Sequence, residues 1–193
     1  MIISKTPYRI SFFGGGTDYP AWYRKNGGRV ISTSIDKHVY ITCRYLPPFF
    51  DHRIRAVYSI IDQAQNYNEV KHPVVREALK YLGIKKDIEI HYDGDLPSKS
   101  GIGSSSAFTA GLLNALFHFK GLNISKKKLG ETTIYIEQKK IKEIVGSQDQ
   151  IAVSNGGFNL INFKKNGKIL IKPINFSKNN VKIFENKFML FHT

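Results

Sequence analysis

The stretch Leu96–Leu116, LPSKSGIGSSSAFTAGLLNAL, constrains this chain more than any other. Pro97, then Gly101 and Gly103, then Ser104, Ser105 and Ser106 lead into a long apolar, Ala-rich run. Phe108, Leu112, Ala115 and Leu116 recur at spacings of three and four, which predicts a helix, and the three serines are favourable N-cap residues for it. Just upstream, Ile88–Tyr92 alternates as a strand does. A strand, a glycine loop and a helix N-terminus in that order place unpaired N–H groups at the positive end of a helix macrodipole. Such an end attracts anions, phosphates above all. An ordinary loop with a serine cap shares this composition, so the pattern alone leaves both readings open. Two other phosphate loops are excluded. No Gly, four residues, then Gly-Lys-Ser/Thr occurs, and a dinucleotide fingerprint fails at Ser106 and lacks an acidic ribose partner downstream.

A chain of 193 residues with 41% hydrophobic content can bury one domain-sized core, or a domain plus a stub. No apolar run approaches the ~18–20 residues of a membrane span. The N-terminus MIISKTPYRI lacks a leader's long apolar region, so a cytoplasmic chain is expected. The single Cys43 reads as a buried small hydrophobe. The six histidines show no metal-ligand spacing. A formal charge of +14 raises the idea of a basic RNA-binding domain. The lysines, however, are scattered or sit in surface-like clusters such as Lys126–Lys128, without the interleaved aromatics of single-strand binders. Anionic small substrates account for the charge equally well, and a nucleic acid is not the expected partner.

Along the chain, residues 1–13 read as a strand broken by Gly14-Gly15-Gly16, and Trp22-Tyr23 as a short helix ended at Gly27-Gly28. Val30–Ile35 and Lys37–Tyr45 read as a strand pair across Asp36, and Ile54–Ile61 as a further strand. Pro73 opens a helix carrying Val74, Val75, Ala78, Leu79 and Leu82, stopped by Gly83. The glycine-loop helix is expected to end near Gly121. Ser125 caps a helix from Lys126 to about Val145, and Gln148–Ser154 is a short helix. Phe158–Phe163 and Ile169–Ile174 form a hairpin around Asn166-Gly167. Asn175–Glu185 reads as irregular, and Lys187–His192 as the start of another strand. Strands grouped with packed helices indicate an α+β fold.

The string Pro97 … Gly101-Ile102-Gly103-Ser104-Ser105-Ser106-Ala107, flanked by its strand and small-residue helix, resembles the phosphate loop of the GHMP kinases. Tyr8-Arg9-Ile10-Ser11-Phe12-Phe13-Gly14-Gly15-Gly16-Thr17-Asp18-Tyr19 is similar to the N-terminal sugar motif of their galactokinase-type members. Glu137 and Gly146-Ser147-Gln148-Asp149-Gln150 resemble their helix Glu and Gly-x-x-Asp-Gln segment. The resemblance spans nearly the whole chain. It implies a GHMP kinase N-terminal domain, similar to the second domain of ribosomal protein S5, over residues 1–185. Residues 186–193 would begin a C-terminal domain that is absent, and the fragment would be inactive alone.

The resemblance also implies site residues. Pro97, Lys99, Gly101, Ile102, Gly103, Ser104, Ser105 and Ser106 would bind ATP. Ser105 and Glu137 would hold Mg²⁺, a hard cation content with few protein oxygens. Asp149 would take the proton of the sugar hydroxyl while Arg9 braces the phosphoryl group. Gly14, Gly15, Gly16, Thr17 and Asp18 would bind the sugar. Gly15-Gly16 stand where galactokinases carry Glu-His, and the three-glycine version resembles D-glycero-D-manno-heptose 7-phosphate kinases. A sugar phosphate is therefore the implied substrate, phosphorylated at its anomeric hydroxyl, with an L-fucokinase or galactokinase activity as the alternative.

Overall fold

The computed structural model describes residues 1–97 and 100–189. The strands are β1 (Ile2–Phe13), β2 (Gly28–Tyr45), β3 (Ile54–Val57), β4 (Ile61–Ala64), β5 (Ile88–Gly94), β6 (Phe158–Phe163) and β7 (Ile169–Pro173). The helices are α1 (Pro20–Asn26), α2 (Pro73–Leu82), α3 (Ser104–Phe119), α4 (Lys126–Ile134), α5 (Gln148–Asn155) and α6 (Lys178–Glu185). All seven strands join one sheet in the order β4-β3-β5-β2-β6-β7, with β1 paired to β2. Among the described residues only β3 and β5 run parallel. This is the expected α+β architecture.

Strand β2 is the spine. The sequence reading splits it at Asp36, but it runs unbroken through that residue because β1 accompanies both of its halves. Pro7 pairs with His38 and Arg9 with Ser34, so extra residues around Asp36 bulge out opposite Tyr8. Asp36 marks a bulge, not a reversal. Beyond it the two halves find different partners, β6 along Gly28–Thr33 and β5 along Val39–Tyr45.

Helix α2 forms as read, with Pro at its first turn, Gly83 in the left-handed conformation beyond its end, and the five named apolar residues buried. Helix α3 lies against β1 and β2, burying Leu112, Leu113 and Leu116 completely. Each such side chain contributes about 1.5–3 kcal/mol by leaving water.

Elsewhere the structure corrects the reading. Ile54–Ile61 is not one strand but the two arms β3 and β4 of a hairpin. The helix capped by Ser125 leaves α-geometry at Ile134, widens into a π-helical turn over Tyr135–Lys140 and stops, with Lys142 at φ 58°. Residues 178–185 are helical, not irregular, because Ser177 caps Asn180 and Phe184 packs among Phe12, Phe158, Phe176 and Phe188. Lys187–Met189 form no strand, and the rest of that expected strand lies outside the described residues.

Candidate active site

The glycine loop is shaped by backbone geometry. Gly101 and Gly103 sit at φ 71° and 74°, where a Cβ is strained. Gly103, and none of the serines, is the N-cap of α3, which begins at Ser104. No side chain caps this helix end, and the Arg9 side chain packs against Gly103, where a Cβ would lie 3.1 Å from Arg9 Cγ. Ser105 is exposed, whereas Ser106 is buried and donates from Oγ to Glu137 Oε2 at 3.1 Å. Ser104 lines an adjoining cavity. Pro97 accepts from Ser100 Oγ at 2.8 Å. Lys99 lies outside the described residues.

Arg9 ties this loop to α5. Its backbone N–H donates to Ile102 O at 3.0 Å and its Nη1 to Gly101 O at 2.7 Å. The same guanidinium forks onto Asp149, Nε to Oδ1 at 2.8 Å and Nη2 to Oδ2 at 2.7 Å. Bidentate pairing of this kind is strong and fixes both planes. With the bond to Gly101 O it occupies three of the five Arg9 side-chain N–H donors, leaving two, and each Asp149 oxygen keeps a lone pair. Two residues that the sequence assigned separate duties thus form one unit.

Glu137 is 1% exposed and reaches the cleft because the π-helical turn carries it toward α3. Gln150 Nε2 and Ser106 Oγ both donate to its Oε2, while Oε1 is buried with no partner. Burial pushes its carboxyl up to about 7. A buried, half-satisfied carboxylate oxygen is costly unless something binds it, and a cation beside the exposed Ser105 hydroxyl fits that need. Among the described residues no cluster of three or more His, Cys, Asp or Glu is placed to hold a metal by itself.

The three-glycine turn is built more tightly than the sequence implied. A Cβ on Gly14 would lie 1.8 Å from Arg29 O, so only glycine fits against β2. Thr17 donates from Oγ to Gly14 O and from its N–H to the same oxygen, at 2.7 and 3.1 Å. Gly16 N donates to Asp18 Oδ1 at 3.1 Å. The N–H groups of Gly16 and Thr17 are therefore used inside the protein. Gly16 still presents an open face, since a Cβ there would meet nothing within 4 Å, and Gly15 faces Gln148 across 3.8 Å.

Arg9, Asp18, Ser105, Ser106, Glu137 and Asp149 converge on one cavity of about 250 Å³. Tyr19 and Gln148, which stand in the quoted motifs without an assigned role, and Glu143, which stands in none, also line it. A second cavity of about 360 Å³ shares Ser105 and is walled by Tyr58, His72, Tyr92 and Phe108. Their rings lie 4.9–5.4 Å apart in tilted and edge contacts. Burial lowers the His72 pKa, favouring a neutral ring, and leaves its Nδ1 unpartnered. These residues come from four separated stretches, so no local pattern announces them. No helix among the described residues is long and apolar enough to cross a membrane.

Residues 68–157 match the family model of the GHMP kinases N terminal domain. The D-glycero-alpha-D-manno-heptose 7-phosphate kinase of Campylobacter jejuni is 25% identical over 195 residues, covering 90% of this chain and 54% of that protein. The L-fucokinase/L-fucose-1-P guanylyltransferase of Bacteroides fragilis is 25% identical over 169 residues, covering 72% and 18%. A crystal structure of a D-glycero-D-manno-heptose 1-phosphate kinase from Bacteroides thetaiotaomicron superposes with a TM-score of 0.85 at 23% identity, covering 94% of this chain and 62% of that one. The chain thus spans about half the length of the heptose kinase it resembles.

Proposed function

We propose that this chain, whose residues 68–157 match the family model of the GHMP kinases N terminal domain, supplies the ATP-binding and catalytic face of a sugar kinase acting on a heptose phosphate. One observation carries the reading: Arg9 grips Asp149 and the Gly101 carbonyl together, which places a carboxylate beside the glycine loop. The nucleobase enters the aromatic cavity of Tyr58, His72, Tyr92 and Phe108, where flat rings and a neutral imidazole suit a heteroaromatic base. Its phosphates cross the loop Gly101–Ser106 toward the cleft. Ser105 and the free Oε1 of Glu137 would hold Mg²⁺, which when bound offsets phosphate charge.

The sugar lies over the open face of Gly16, its hydroxyl donating to Asp149. Asp149 accepts that proton through its remaining lone pairs as the oxygen attacks in line, and the two unused N–H donors of Arg9 meet the transferring phosphoryl oxygens. The heptose 7-phosphate kinase relative supports a heptose 7-phosphate as the acceptor, and we propose its anomeric hydroxyl as the attacking group. The L-fucokinase relative supports an unphosphorylated sugar as the second reading.

A coupled ATP-consumption screen of the intact enzyme over free and phosphorylated sugars decides between them. Turnover dependent on heptose 7-phosphate is expected, and preference for a free sugar favours the second reading. No sugar-dependent turnover rules out both. Asp149→Asn should lower kcat by about 10²–10⁴, the range typical of a general base, with little change in KM for ATP.

A further inference from the structure

Asp18 is held from several sides by the protein itself. It is 1% exposed, and three protein N–H donors reach its carboxylate. Gly16 N and Gln148 Nε2 donate to Oδ1 at 3.1 and 3.3 Å, and Gln148 N donates to Oδ2 at 3.0 Å. Its own carbonyl accepts from Ser147 N at 3.1 Å. The fit leaves no slack, since a Cβ on Gly146 would lie 1.8 Å from Asp18 Oδ2. On its other side Gln148 accepts at Oε1 from Ser11 Oγ at 2.7 Å. Ser11 lies two residues from Arg9 on β1, hence on the same strand face. Two rungs therefore connect β1 to the start of α5: Ser11 to Gln148, and Arg9 to Asp149.

We infer that Asp18 and Gln148 form a clasp that positions Asp149 against Arg9, and that Asp18 acts on catalysis as a positioning residue. The buried carboxylate pins the first N–H of α5 and the Gln148 side chain at once, and the next residue along the helix is Asp149. The kinetic consequence rests on the kinase reading above; the geometric one does not.

The test uses Asp18→Asn and Gln148→Leu, singly and together, in the intact enzyme. Whichever way the Asn amide turns, its NH₂ confronts a donor N–H. Leu removes both side-chain rungs of Gln148 at similar volume, and as a change at a half-buried position it keeps the test alive if Asp18→Asn fails to fold. Both variants should lose roughly tenfold or more in kcat with sugar KM within about threefold, and the double variant should be no worse than the poorer single, as for residues acting as one unit. A sugar KM raised tenfold with kcat kept in Asp18→Asn, or a silent Gln148→Leu, overturns the clasp.

A second readout needs no turnover. In ¹⁵N spectra the Arg9 Nε–H should be slow to exchange in the wild type and should shift and exchange faster in both variants. An unchanged Arg9 signal overturns the clasp whatever the kinetics. A wild type that turns over no sugar rejects the kinase reading instead, and the Arg9 signal then decides the clasp alone.

Discussion

Glu137 shows what burial does to a single carboxyl. Desolvation raises it from an ordinary value of 4.5 to about 7, outweighing the donors on its Oε2. Between those values the folded chain holds a proton that the unfolded chain releases, so stability is full below about pH 4.5 and is lost as pH rises through 7. At about 1.4 kcal/mol per unit the loss reaches a few kcal/mol. Thermal melts of the protein without nucleotide or divalent cation should therefore show a lower Tm at pH 8 than at pH 5, and Glu137→Gln should flatten that difference. Equal slopes in the two proteins would count against the buried carboxyl. The identities of Arg9, Glu137, Ser105 and Asp149 were legible because each sits in a compact motif. Their partnerships were not, since Arg9 and Asp149 lie 140 positions apart and meet only through the sheet. The hold on Asp18 was not legible either, since nothing local foretells three N–H donors arriving from Gly16 and Gln148.

The same division holds among elements. Helix α2 was legible to its ends, and the β6–β7 hairpin to within one residue, because Pro73, Gly83 and Asn166-Gly167 act through neighbours in sequence. The π-helical turn was not, because it is fixed by what Glu137 meets on α3. Helix α6 was missed for a related reason: its apolar residues are few and make sense only against Phe12 and Phe158 on other elements. That dependence is testable. Phe184→Ala removes the ring that touches Phe12, Phe158, Phe176 and Phe188. It should release α6 while the rest of the fold holds, as local unfolding of a weakly anchored element does. Limited proteolysis should then cut within residues 175–189 at least tenfold faster, with the main melting transition within a few degrees of wild type. A cooperative loss of the whole domain would show that α6 is part of the core.

At the scale of the molecule, the α+β class and the order of elements followed from motif and periodicity, whereas the sheet's connectivity did not. That connectivity has a kinetic side. Strand β2 needs β1, which precedes it, but also β5 and β6, which follow after α2 and after α5. Non-local pairing of this kind slows folding toward milliseconds to seconds. In a chevron experiment Ile41→Val, fully buried in β2, should slow refolding, while Ile171→Val on the outer strand β7 should mainly speed unfolding. The reverse pattern would move the nucleus away from the spine. On a ribosome the N-terminal β1–β2 ribbon emerges early and waits, its apolar face and unpaired strand groups uncovered until Phe158–Phe163 has been synthesised. For that interval the growing chain is a client for whatever shields nascent polypeptides, and a slowed or truncated synthesis that stops before β6 leaves a sticky ribbon in place of a domain.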